Sequence, residues 1–247
     1  MSPPYTELLE HVREQLRGAV DPEFAEGQRR FFQHEVDTYG IRGPELKAIS
    51  RELYRALKAW PEADRNKLCT ELWKSGKLEE GALVCYIYRR FDKQCGACEF
   101  KLFERWLDRY VHNWAHCDGL ASWLLAASIA NEPSLIRELP PWTESQNRWK
   151  RRAAAVAMLQ EGKKGRHTGE ILDIASRMMT DPDDMVQKGV GWLLKETYPK
   201  RPREVVAFLK PWRGRAARLL LRYAAEKMSA KDRAIVLLKP DLEQKGR

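Results

Sequence analysis

The chain has 247 residues, 43% of them hydrophobic, and a formal net charge of +9. That is enough apolar side chain to bury a sizeable core, and it excludes an intrinsically disordered chain. The charge is unevenly spread: residues 1–140 hold 20 Lys+Arg against 22 Asp+Glu, residues 141–247 hold 24 against 13, and a basic excess confined to one region points to a polyanionic partner.

Nucleic acid leads and an anionic membrane is the rival. No stretch approaches the roughly 20 apolar residues of a spanning helix, and no charged-then-apolar signal precedes Pro3-Pro4, so the expectation is a cytoplasmic protein without membrane contact. Five cysteines, an odd number, do not form a secreted disulfide framework.

In chain order, apolar residues recur at helical spacing, first at Leu46, Ile49, Leu53 and Leu57 and later at Leu219, Leu220 and Tyr223. Prolines mark helix starts at Gly43-Pro44, Trp60-Pro61, Glu132-Pro133, Asp181-Pro182 and Arg201-Pro202. About a dozen helices of roughly 10–18 residues fit this punctuation. Basic residues share faces at Arg51, Arg55 and Lys58, at Arg148, Arg151 and Arg152, and at Arg215, Arg218 and Arg222; each set reads equally as a solvated face.

Cys95-Gly-Ala-Cys98 is a lone CxxC. With His112 and His116 it could complete a zinc site, but a turn before the Glu99 helix is the simpler reading, and neither metal nor cofactor is expected. Gly162-Lys-Lys-Gly165-Arg reads as a loop, and the tail after Pro240 as frayed.

Arg152-Ala-Ala-Ala-Val-Ala-Met-Leu aligns with Lys188-Gly-Val-Gly-Trp-Leu-Leu-Lys at an offset of 36, with a fainter echo at Glu80-Gly81-Ala82-Leu83. The offset is near the period of helical-hairpin repeats. The fold class expected is therefore all-α: a curved solenoid of degenerate HEAT-like helical-hairpin repeats. It is read as one domain, residues 1–247, with N-terminal repeats over about 1–140, basic repeats over about 141–240 and a frayed tail at 241–247.

Phosphate loops, HExxH and GxSxG motifs are absent from the sequence, which disfavours NTP and serine hydrolase chemistry. What stands out is Trp114-Ala-His-Cys-Asp118, Trp149-Lys150-Arg151-Arg152-Ala-Ala, and Gln187-Lys188-Gly-Val-Gly-Trp192. On a helix, Trp114 and Asp118 share a face. Asp118 reads equally as an N-cap, and the tryptophans as core residues.

At these motifs, and at Tyr39-Gly-Ile-Arg-Gly-Pro44-Glu-Leu-Lys, the sequence resembles the AlkD-type alkylpurine DNA glycosylases, helical-repeat repair enzymes; the likeness runs from about residue 5 to residue 225. The resemblance implies hydrolysis of the N-glycosidic bond of N3-alkyladenine and N7-alkylguanine in double-stranded DNA, leaving an abasic site for base excision repair, by a protein expected to be a monomer. It implies that Asp118 is the catalytic carboxylate, that Trp114 and Trp192 flank the lesion, and that Arg152 contacts the DNA backbone. Arg148, Lys150, Arg151, Lys188 and Lys195 complete the expected DNA-binding set.

The sequence departs from the family pattern at Ala115, His116, Cys117 and Lys195, and places Phe31 or Phe32 where a tyrosine is expected near the lesion. Two other functions use the same features: a non-catalytic helical-repeat protein binding branched or distorted DNA, and a helical scaffold for acidic proteins.

Overall fold

In the computed structural model, which describes residues 4–32 and 36–238, every regular element among the described residues is helical. The first helices are α1 (Pro4–Gly18), α2 (Pro22–Phe31), α3 (Gly43–Leu57), α4 (Glu62–Lys74), α5 (Leu78–Tyr88), α6 (Ala97–Tyr110) and α7 (Trp114–Gly119). After a π-helical turn at Leu120–Leu125 come α8 (Ala126–Asn131), two 3-10 turns over 133–144, α9 (Arg148–Val156), α10 (Leu159–Lys164) and α11 (Thr168–Met178). The last are α12 (Asp184–Thr197), α13 (Pro202–Leu209), α14 (Arg218–Ala224) and α15 (Ala230–Leu237). The all-α, repeat-type fold class expected from the sequence is what is observed; the frayed tail lies outside the described residues.

The repeat is stricter than the sequence offset implied. The residues capping α3, α5, α7, α9, α12 and α14 are 42, 77, 113, 147, 183 and 217, at intervals of 35, 36, 34, 36 and 34. The fifth residues after these caps are Lys47, Ala82, Asp118, Arg152, Lys188 and Arg222, and the sixth are Ala48, Leu83, Gly119, Ala153, Gly189 and Tyr223. The charge-then-small pattern at Arg152 and Lys188 is thus repeated at Lys47 and Asp118. The echo assigned to Glu80-Gly81 sits two residues too early, and Ala82-Leu83 takes that place.

The chain folds as two compact units, divided between Leu120 and Ala121. In the first, α3, α5 and α7 stack in succession while α1, α4 and α6 form a second layer against them. Trp73, Tyr88, Phe100, Phe103 and Trp106 fill the space between. Tyr88 meets Phe103 and Trp106 edge-on at 5.1 and 5.5 Å, and Trp106 Nε1 donates to Thr70 Oγ1 at 3.0 Å. In the second unit α9, α12 and α14 stack in the same way, with α11, α13 and α15 packed on them.

Helix lengths are less regular than the punctuation implied. Pro133 opens a 3-10 turn rather than an α-helix, and α7, α8 and α10 have six residues each. Residues 162–164, read as loop, are instead the last turn of α10: Gly162 lies where a Cβ would come within 2.5 Å of Thr197 Oγ1, and Gly165, at φ +67, ends the helix.

Packing around α12 is set by the absence of a side chain at Gly191. A Cβ there would lie 2.5 Å from Tyr223 Cβ and 2.9 Å from the Leu220 carbonyl, both on α14. Gly191→Ala is predicted to force α12 and α14 apart and to cost about 1–3 kcal/mol, read as a lower midpoint in urea unfolding with an unchanged m-value. A variant as stable as the parent contradicts this packing.

Candidate functional site

Three residues anchor α7. Asn113 caps the helix by accepting from the His116 amide at 2.9 Å, and its amide nitrogen lies 3.2 Å from His116 Nδ1. His116 Nε2 lies 3.1 Å from the Leu78 carbonyl of α5, so this nitrogen carries the proton and Nδ1 accepts from Asn113. The ring meets Trp73 edge-on at 5.0 Å, and Gly81 leaves room for it, since a Cβ there would stand 2.5 Å from Nε2.

With His116 and Cys117 turned inward against α5, the other side of this short helix faces out, and Trp114 and Asp118 are both partly exposed on it. Asp118 is the fifth residue of α7 and Asn113 is its cap, so Asp118 does not cap a helix. Trp114 is not a core residue either. Phe32 stacks on its indole at 5.1 Å and 19°, Phe31 meets it edge-on at 5.8 Å, and Phe31 is 70% exposed. The N-terminal aromatics and the Trp-x-x-x-Asp motif therefore form one surface cluster of the first unit.

Hydrogen bonding uses both His116 ring nitrogens, which removes that side chain from a zinc site with Cys95 and Cys98. Cys95 is buried, Cys98 is exposed, and no group of metal-binding residues assembles among the described residues. Burial pushes the His116 imidazole down to about 4.

Sequence reasoning missed Glu79 and Glu80, the first-turn acids of α5. Glu79 accepts from Thr38 Oγ1 at 2.7 Å and from the amides of Tyr39, Gly40 and Ile41 at 3.0, 2.9 and 3.2 Å. Glu80 accepts from the Tyr39 hydroxyl at 2.8 Å and pairs with Arg13 at 3.2 Å. Burial, followed by the Glu80 hydrogen bond and charge, raises the Tyr39 phenol well above its ordinary range. Gly40, at φ +80, has no room for a Cβ against Ala25. The Tyr39-Gly-Ile-Arg-Gly-Pro44 signature thus has a structural role: it binds two buried carboxylates.

Arg152, Trp192 and the other expected DNA-binding cations lie in the second unit. Arg152 is buried and donates to the Met185 carbonyl, with Gly189 admitting its side chain, although the resemblance implies a backbone contact. Arg148 lies 2.9 Å from Asp183 and 3.4 Å from Asp184, Arg151 2.7 Å from Asp181, Lys188 2.8 Å from Asp184 and Lys195 2.7 Å from Glu226. The Lys150 ammonium sits over the Trp142 ring at 5.3 Å. Trp192 is partly exposed and hydrogen-bonds Glu196. Burial works to raise the Glu196 carboxyl, but Lys227, 2.7 Å away, together with Lys163 and Trp192, holds it below its ordinary value.

The sequence matches the model of a family described as DNA alkylation repair enzymes over residues 12–228. Among solved structures it is similar to that of a predicted DNA alkylation repair enzyme from Enterococcus faecalis. The two are 17% identical, with a TM-score of 0.73 over 85% of this chain and 97% of that one. No curated protein matches the sequence.

The burial of His116 predicts a pH dependence. Its folded value lies below the ordinary 6.5, so the unfolded chain binds a proton that the folded chain refuses; the contribution is complete above about pH 6.5 and lost as pH falls towards 4. At about 1.4 kcal/mol per pH unit the loss reaches about 3 kcal/mol. Thermal unfolding from pH 7 to 4 should show a shallower acid decline for His116→Gln than for the parent; parallel curves would contradict the assignment.

Proposed function

The chain belongs to the DNA alkylation repair enzyme family, and on that premise we propose that it is a monofunctional DNA glycosylase releasing cationic alkylpurines, N3-alkyladenine and N7-alkylguanine, from duplex DNA. The observation that carries this reading is the position of Asp118 on the partly exposed side of α7, one helical turn from Trp114, whose indole packs with Phe31 and Phe32.

Alkylation at N3 or N7 gives the purine a positive charge and weakens its bond to deoxyribose. When that bond breaks, its electron pair leaves with the base, which becomes neutral, and the positive charge passes to the sugar. The chemistry therefore asks for no general acid at the base and needs mainly a fixed negative charge near the anomeric carbon. The Asp118 carboxylate supplies that charge. It also orients the water whose oxygen bonds to the anomeric carbon while one of its protons passes by way of the carboxylate to bulk water, leaving a free base and an abasic site.

In the first unit, contact with the cationic base is assigned to the indole of Trp114. An indole face attracts a cation by about 0.5–2 kcal/mol depending on desolvation, and a neutral purine gains less. Among the described residues no helix is long and apolar enough to cross a membrane. DNA is the partner consistent with the family and with the +9 charge.

Incubation with methylated duplex DNA should release 7-methylguanine and 3-methyladenine. Asp118→Asn is predicted to slow single-turnover release by about 10²–10³-fold, the usual cost of one preorganised electrostatic group. Failure of the parent protein to release either base at any enzyme concentration ends this reading; tight binding to junction DNA without excision would instead identify a non-catalytic DNA-binding protein.

A further inference from the structure

The first unit carries a cleft that joins Lys47, the end of the Tyr39–Lys47 segment, and Arg51 of the first basic face to two arginines that no motif of the sequence marks. It has a volume of about 320 Å³ and is lined by Lys47, Ser50 and Arg51 of α3, Tyr86 of α5, and Arg89 and Arg90 just past the end of α5. Four of these six residues are cationic and none is acidic, although residues 1–120 hold 19 Lys+Arg against 20 Asp+Glu. All four cations are exposed.

In the second unit four of the expected DNA-binding cations are ion-paired with carboxylates, whereas Lys47 and Arg51 make no ion pair among the described residues. The repeat register relates this cleft to the candidate site. Lys47 is the fifth residue after its cap, as Asp118 is, and Arg51 and Tyr86 are the ninth after theirs. Because α3, α5 and α7 stack in succession, equal places in the register share one face of the layer.

We propose that this cleft binds phosphodiester oxygens of the DNA backbone, so that the first unit contributes its own share of the electrostatic affinity; the proposal rests on the reading that the chain acts on DNA. Two helix spacings, about 16–20 Å, separate Lys47 from Asp118. That distance is about five base-pair steps at ~3.4 Å each. The contact therefore falls on backbone flanking the lesion and reads no bases. Guanidinium groups suit it because their paired N–H donors match two phosphate oxygens, and no carboxylate lines the cleft to compete for them.

The test uses undamaged duplex, so that no chemistry is involved. Fluorescence anisotropy at a series of salt concentrations gives the slope of log K against log salt for the parent and for the Lys47→Gln/Arg51→Gln and Arg89→Gln/Arg90→Gln double variants. Each lost phosphate contact should make the slope shallower by about 0.9, hence by up to about 1.8 for a double variant. Lys47→Arg/Arg51→Lys, which keeps both charges, should retain the parent slope. Parent-like slopes in both glutamine variants overturn the proposal, as does a shallow slope in the charge-keeping variant. A cleft-dependent slope in a protein that excises no base would sustain the cleft and refute the glycosylase reading alone.

Discussion

The close stacking of one recurring helix is the constraint on which the rest depends. The recurring helix begins every 34–36 residues, and within each unit glycines stand at several of the places where it touches its neighbour. Gly81 admits the His116 ring, Gly189 the stem of Arg152, and Gly191 the backbone of α14. Such contacts fix the rotation of each helix about its own axis. They therefore decide which residues of α7 point in and which point out, and the outward position of Asp118 follows from the inward position of His116.

That inward position needs polar satisfaction, because a buried imidazole costs free energy unless its nitrogens are paired. Asn113 and the Leu78 carbonyl provide it. Glu79, the residue after Leu78, gathers four donors from the 38–41 segment. One turn of α5 thus fixes both the 38–41 segment and the helix carrying Trp114 and Asp118. The buried polar groups of the first unit thus serve to position α7 and the 38–41 segment, and Trp114 and Asp118 stay partly exposed.

Much of this was legible in the sequence. The helical class followed from periodicity and proline placement, and the 36-residue offset was visible because charge-then-small is a local pattern. The two-residue error at Glu80-Gly81 arose because small residues also occur where helices meet side chains, and only the caps separate the two uses. Gly162 was misread for a related reason: glycine signals a break in the chain and also a close approach, and the partner, Thr197, is 35 residues away. The roles of Glu79 and of the Tyr39–Pro44 signature depend on contacts about 40 residues apart, which neither composition nor period records. The C-terminal basic excess was plain from counting, but the acids paired with its cations were not.

Those pairings differ in how far solvent reaches them. An exposed ion pair contributes about 0–1 kcal/mol, so exchanging its carboxylate for a phosphate costs little. Lys188 and Lys195 are intermediate, themselves 22% and 17% exposed and each facing an acid whose side chain is 48% exposed. Each of these pairs is open to solvent mainly on the acid's side. Arg151 and Asp181 differ: at 16% and 6% exposure, and with a further bond from Arg151 to the Ser145 carbonyl, they are enclosed enough that separating them would leave a desolvated charge without compensation. Arg152, buried against α12, belongs with them. Burial thus divides the cations of the second unit: Arg151 and Arg152 hold the packing of α9, whereas Lys188 and Lys195 of α12 face acids that solvent reaches.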